Sequence, residues 1–444
     1  MKLLLNKKYL LFIFAAIIIL NYAWFVFIDR SIESYFFTIS SASILYLVCA
    51  LILYKVEVEL KYIFWITTFI FLFKIFSMEI LPVGSDDYYR YLWDGKVLVN
   101  GINPFQFPPN SESLSHLHSE LLPKEVTYPD IKTIYFPLSQ AVFAFVYLIG
   151  GESIWGLKVI MILSDILLTF GFFFLLKKNQ INNKYVLLYV LSPLVFYQFF
   201  IDAHIDILGM ALFLYSIYFF KEQKIFAALF LGASLIVKPT FMIAIPIFFF
   251  YEKEMKDKLK WFVIPIILLA VSFIPFSFTA NPFETLINYS RHWSFNGAAF
   301  NLLAVFLNDT FVIRFILLIL FILIYLVLLR YNKDVFSSLF YSLMFFLLCS
   351  PVVHPWYAAW LIVLLVVNPK LSGISYISLI SITFYTVMIY QLENVWEENT
   401  IILLIEYIPV IILLLYEFWF ILNKKDSRNS FIAIPRISEG FDEK

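Results

Sequence analysis

The sequence predicts an all-α polytopic membrane protein, on three observations. Hydrophobic residues make up 62% of the chain and charged ones 14%, against roughly 45–50% apolar in ordinary soluble domains. Apolar runs of about 17–25 residues, each able to cross about 30 Å of hydrocarbon, recur from end to end. No polar stretch suffices for a soluble domain, and the longest, at about 82–133, has room only for short helices and loops. The net charge is zero, so there is no basic field to suggest a nucleic-acid partner. Cys49 and Cys349 both fall inside expected spans and read as small buried residues, with neither a disulfide nor a metal site.

The chain opens with three Lys among its first eight residues, followed by about 20 apolar ones. That resembles a signal peptide. No small-residue cleavage site follows Asn21-Tyr-Ala-Trp24, so the run is taken as a first span. Spans are expected at 9–28, 36–54 and 61–80, giving an N-terminal unit over residues 1–81. Lys2, Lys7 and Lys8 precede the first span, and Lys55 and Lys61 lie between the second and third. The positive-inside rule places both groups in the cytoplasm. The third span then delivers Asp86 and Asp87 to the outer face of the cell membrane.

The next stretch, 82–133, is expected to be a long outer loop with a short helix at its start. Read as a helix, Asp87, Arg90, Tyr91 and Asp94 fall at i, i+3, i+4 and i+7, one face on which Arg90 can pair with both carboxylates. Asn100-Gly101 and Asn103-Pro104 stop that helix. His116 and His118 have metal-like spacing but no acidic partners nearby, so they are not read as a metal site.

The segment 134–150 is short and carries Pro137, Ser139 and Gln140. A full crossing would put Lys177, Lys178 and Lys184 outside. A re-entrant path puts them inside, and every later loop then agrees with the charge rule, so the re-entrant path is favoured. On that path spans follow at 153–176, 184–200, 205–220, 224–237, 240–250, 261–278, 311–330, 335–350, 356–368, 372–391 and 400–422. Arg330 and Lys333 fall inside, a hairpin breaks at Lys238-Pro239, and 297–307 forms an outer surface helix. Residues 134–422 make the helical bundle, and 423–444 make a cytoplasmic polar tail that includes Lys424, Lys425 and Arg428. The expected total is about 12–14 transmembrane helices.

This topology gathers the unusual polar residues on the outer side: Asp86, Asp87, Arg90 and Asp94; Asp202, His204 and Asp206; Lys238; Arg291 and His292; and His354. Ionisable groups at membrane depth are costly and tend to mark function. Carboxylates mixed with cations suit a reaction that needs a base and stabilisation of an anionic leaving group. The sequence lacks a Walker loop, a G-x-S-x-G, an H-E-x-x-H and a dinucleotide fingerprint, so a soluble nucleotide donor is not supported.

Asp87-Tyr-Tyr-Arg-Tyr-Leu-Trp-Asp-Gly-Lys96, continued by Asn100-Gly-Ile-Asn-Pro-Phe105, resembles the first-loop motif of integral-membrane glycosyltransferases of the GT-C superfamily. Polyprenol-phosphate-mannose-dependent mannosyltransferases are the nearest likeness. Tyr128-Pro-Asp130, His204-Ile-Asp206, Val237-Lys-Pro239 and His354-Pro-Trp-Tyr357 follow in the expected order. The resemblance implies a lipid-linked sugar donor, an outward-facing active site and a catalytic acid at Asp87, with Asp86 beside it. That family often has a full span where 134–150 is read as re-entrant.

On this basis the expected reaction is inverting transfer of a sugar, mannose by family likeness, from a polyprenyl phosphate to a hydroxyl on a glycan or lipid acceptor. Asp87 is the expected general base, oriented by Arg90 and Asp94. Lys238, Arg291 and His354 are expected at the donor phosphate, and Trp93, Tyr91, His204, Asp206 and Trp356 at the substrates. No cofactor is required, although Mg²⁺ or Mn²⁺ on Asp86 and Asp87 stays open. The competing readings are a transporter or flippase of a lipid-linked saccharide, disfavoured because no internal repeat is visible, and a non-catalytic scaffold.

Overall fold

The computed structural model describes residues 7–331 and 334–423. Lys2, Lys333 and the tail from residue 424 onward lie outside the described residues. The described chain is helical, and its only strand-like feature is an isolated bridge between Phe295 and Val352. The helices run α1 Lys7–Phe27, α2 Ile32–Leu53, α3 Leu60–Phe76, α4 Asp87–Val99, α5 Pro137–Gly150 and α6 Trp155–Lys178. Next come α7 Asn183–Val190, α8 Pro193–Ile201, α9 Asp206–Phe219, α10 Lys224–Val237, α11 Pro239–Tyr251 and α12 Met255–Ser277. The last are α13 Glu284–His292, α14 Ala298–Ala304, α15 Thr310–Tyr331, α16 Val335–Cys349, α17 Pro355–Leu365, α18 Leu371–Glu393 and α19 Thr400–Asn423.

Among the described residues eight helices are long and apolar enough to cross a membrane, and the bent pair α7–α8 makes a ninth. The expected count of about 12–14 is higher because it included α9, α10, α11, α16 and α17, which are apolar but only 10–17 residues long, and α5, expected to be re-entrant, is as short. At 1.5 Å per residue the 14-residue α5 is roughly 21 Å long, short of the ~30 Å hydrocarbon core. One hydrophobic core runs from α1 to α19. α18 lies deep within it, whereas α12 and α15 are among the least buried spans.

Three breaks shape the site. α10 ends at Val237, Lys238 is fully extended, and Pro239 starts the next helix, as the Lys-Pro pair predicts. α7 and α8 meet at 50° across Leu191–Ser192, where a single span is expected from the sequence. Pro193 supplies the reason, since a mid-span proline removes a hydrogen bond and displaces the preceding turn. The π-wound residues Phe196–Ile201 then deliver Asp202, His204 and Asp206 in quick succession.

α4 stops where expected, at Asn100 with Gly101 at φ +77°. It is no surface helix. Leu92, Trp93, Asp94, Gly95, Lys96 and Val97 are buried, largely against α5. A Cβ on Gly95 would stand 2.2 Å from the Phe143 carbonyl oxygen. Backbone cannot yield as a side chain can, so Gly95→Ala is expected to destabilise the protein by about 1–3 kcal/mol. A lower melting temperature in detergent, with weaker activity, is the result to look for. A variant as heat-resistant as wild type would show that α4 does not need this close approach.

Candidate active site

A cavity of about 1730 Å³ opens at the α4 end of the bundle. Asp86, Asp87, Tyr91, Tyr135, Asp206, Lys238, Tyr289, His354, Trp356 and Tyr357 line it, so residues from distant parts of the chain meet in one space.

Asp87 is the first residue of α4, and 33% of its side chain is open, towards the cavity rather than bulk water. Burial, with Asp86 beside it and Asp206 opposite, pushes its carboxyl up to about 7 against the pull of Lys238 and a hydrogen bond from Tyr135. A carboxylate near 7 is matched to proton abstraction at neutral pH. Behind it lies His204, fully buried, with Nδ1 3.6 Å from Asp87 Oδ2 and 3.4 Å from the Tyr91 hydroxyl. Burial together with the charge of Lys238 holds His204 well below the usual imidazole range, so it is neutral. His204 is not among the residues that line the cavity and stands against Asp87 from behind.

The loop before α4 is fixed by Asp202. Its Oδ1 accepts from the backbone N–H groups of Val83 and Gly84 at 3.1 and 2.9 Å, and its Oδ2 from the Tyr35 hydroxyl at 2.5 Å. Gly84 has no room for a side chain, since a Cβ would lie 2.6 Å from the Tyr35 hydroxyl and 2.7 Å from Asp202 Oδ2. From the other side Lys158, buried near the start of α6, donates to the carbonyls of Phe200 and Ile201. These two charges hold both loops that carry the site, and neither role was evident from spacing.

Arg90 does not serve Asp87. Its Nε donates to Asp94 Oδ1 at 2.9 Å and its Nη1 to the Ile131 carbonyl at 2.8 Å. Asp94 also accepts from Thr133 and from Gln140 Nε2. The expected double pairing is thus reduced to one pair, at i,i+4, which braces α4 against the 131–140 segment. Asp86 accepts from the Thr127 hydroxyl.

Lys238 Nζ sits 2.7 Å from Asp206 Oδ1 and 3.8 Å above the Tyr357 ring centroid. Asp206 also accepts from Trp360 Nε1 at 2.8 Å. Trp356 is stacked between His204 and His354, with centroids at 3.8 and 4.4 Å. Burial and Lys238 hold His354 down to about 3, so it offers a neutral N–H rather than a charge. Tyr91 lines the cavity, yet its ring is stacked on Phe143 at 4.5 Å and only 1% is exposed.

Trp93 and Arg291 are not among the lining residues. Trp93 points away from the Asp87 face of α4 and packs edge-on to His118. Arg291 is exposed on α13, while Tyr289 and Trp293 point inward. Four contributors were missed: Tyr135, Tyr289, Tyr357 and Arg314. Arg314 carried a signal, being a charged residue inside an apolar span. Among the described residues no group of three or more His, Cys, Asp or Glu stands together as a metal site.

A bundle of apolar helices around one cavity that gathers Asp87, Asp206, Lys238 and His354 defines a multi-pass membrane protein with a candidate active site. The family described as alpha-(1->6)-mannopyranosyltransferase, N-terminal domain (MptA/B), matches residues 10–252, more than half of the chain, and the chain belongs to that family. No curated protein and no solved structure matches it. The matched stretch holds most of α1 and all of α2 to α11, with Asp87, Asp202, His204, Asp206 and Lys238, and leaves out Arg314 and His354. The protein is a membrane glycosyltransferase of mannosyltransferase type.

Proposed function

We propose that the protein transfers mannose from a polyprenyl phosphate to a hydroxyl of a glycan or lipid acceptor at the outer face of the membrane, with inversion. The observation that carries this reading is Asp87, a cavity-facing carboxyl near 7 in a space that also holds Lys238 and extends to an apolar helix face. In one displacement the acceptor oxygen attacks the anomeric carbon and its proton passes to Asp87. The bond from that carbon to phosphate oxygen breaks, and the electron pair leaves with the polyprenyl phosphate. Lys238 and the His354 N–H stabilise the departing charge, which grows as the bond breaks. Tyr289 and Tyr357 give flat faces and hydroxyls suited to the sugar ring.

The test is reconstitution. Purified protein in liposomes is supplied with radiolabelled mannosyl polyprenyl phosphate and a manno-oligosaccharide. Labelled product of inverted anomeric configuration is expected, with none formed from GDP-mannose alone. Transfer from GDP-mannose in the absence of lipid would overturn the donor assignment.

A further inference from the structure

The charged side chains that line the cavity sort by partner. Lys132 pairs with Glu284 at 3.0 Å, Lys238 with Asp206 at 2.7 Å and Arg90 with Asp94 at 2.9 Å. Two lining cations, Arg30 and Arg314, have no carboxylate partner among the described residues. Arg30, in the turn after α1, folds back on that helix, with Nε and Nη2 both on the Val26 carbonyl. Arg314 is different. It stands inside α15, where the only other charged residue is the terminal Arg330.

Its Nη1 and Nη2 donate to the carbonyls of Ser290 and Trp293 at 3.1 and 2.7 Å. Its Nε is buried without an acceptor. Neutral carbonyls leave the charge of a guanidinium uncompensated, and an orphaned buried donor is a standing penalty that an anion would relieve. Leu317, Leu318 and Phe321 follow Arg314 at i+3, i+4 and i+7, one face of the helix, and all three line the cavity. Phe346, Leu347 and Cys349 of α16 line it too. α15 is also among the spans most open to lipid. A cation at the head of an apolar wall on a peripheral helix complements a single phosphate on a long hydrocarbon chain. A water-soluble sugar phosphate would leave that wall bare.

We infer that α15 and α16 form the berth of the lipid donor, with its phosphate docking at Arg314 and its chain lying along Leu317, Leu318 and Phe321. This rests on the reading that the donor is a polyprenyl phosphate. It lies beyond residues 10–252, so the family match does not assign it. It moves the docking charge from Arg291 to Arg314 and leaves Lys238 for the transfer step.

The experiment compares binding of undecaprenyl phosphate with that of undecaprenol, which lacks the phosphate, to the purified full chain by native mass spectrometry. Wild type is expected to prefer the phosphate. Arg314→Gln should lose roughly tenfold to a hundredfold of phosphate affinity, the range of a charge-assisted hydrogen bond, and bind undecaprenol as before. Arg314→Lys should recover part of it. In turnover, Arg314→Gln should raise KM for the lipid donor with little change in kcat. Because this variant also frees the Ser290 and Trp293 carbonyls, Leu318→Trp is the second probe. It should weaken undecaprenyl phosphate but not methyl phosphate, which has no chain to lie against the wall, whereas Leu318 stands only about 6 Å along the helix from Arg314. Equal weakening of phosphate and alcohol by Arg314→Gln would make Arg314 merely structural and overturn the inference, as would a Leu318→Trp protein that binds the long chain normally. If wild type bound undecaprenyl phosphate and Arg314→Gln matched it, only the berth would fall. If wild type bound no polyprenyl phosphate at all, the donor reading would fall with it.

Discussion

Asp87→Asn is expected to lower kcat by about two to four orders of magnitude, the usual worth of a positioned general base, while donor KM stays within about threefold. The amide keeps the shape and cannot take the proton. In wild type the rate should carry the titration of this group. With the carboxyl near 7, kcat/KM should fall about tenfold per pH unit below that point and level off above it. Asp86→Asn should move the limb to lower pH, because the neighbouring charge is one of the causes that raise Asp87. The residual activity of Asp87→Asn should be flat across the same range. Full activity in Asp87→Asn, or a wild-type profile without a limb near 7, would remove Asp87 as the base.

Stability should move the opposite way. The Asp87 carboxyl is raised in the fold above its value of 3.8. The folded chain therefore keeps this proton at a pH where the unfolded chain has lost it. Its contribution to stability is whole below about pH 4 and is lost as pH rises through about 7. Asp87→Asn has no such loss, so at pH 8 it should melt no lower than wild type. A dead but equally stable protein would separate chemistry from folding.

Much of this site was legible because helix periodicity and punctuation are local. The face of α4, its stop at Asn100-Gly101, and the break at Lys238-Pro239 follow from spacing and from what Gly and Pro do to a backbone. What each charge touches is not local. The spacing 87, 90, 94 allows Arg90 two partners, and Thr133, Gln140 and the Ile131 carbonyl, from 40 or so residues away, decide for Asp94. Charges diluted in apolar runs were also passed over. Lys74 and Asp165 pair at 2.7 Å inside α3 and α6, with the Tyr189 hydroxyl on the same carboxylate. A hydropathy window averages such residues away, and Arg314 was lost in the same manner. Counting each ionisable residue within a span as a question about its partner recovers all three.

Lys238→Met carries the other large expected effect, and it has two separable parts. Lys238 neutralises Asp206, whose side chain is 4% exposed, so removing the ammonium strands a buried carboxylate. Breaking one side of such a pair destabilises by about 3–5 kcal/mol, and the partial exposure of Lys238 argues for the lower end. Poor yield and a lower melting temperature are therefore expected from Lys238→Met alone, and inactivity in that variant decides nothing. The double variant Lys238→Met with Asp206→Asn removes both charges and keeps a group able to accept from Trp360 Nε1. It should regain most of the thermal stability, because replacing both partners leaves no orphaned ion. Transfer should not return, since the charge that meets the leaving phosphate is still absent. Recovery of transfer along with stability would show that Lys238 serves the fold by balancing Asp206 and has no part in the reaction. A stable, lipid-binding and inactive double variant, beside an Asp206→Asn single variant that still transfers, would place the ammonium at the step where the carbon–oxygen bond breaks.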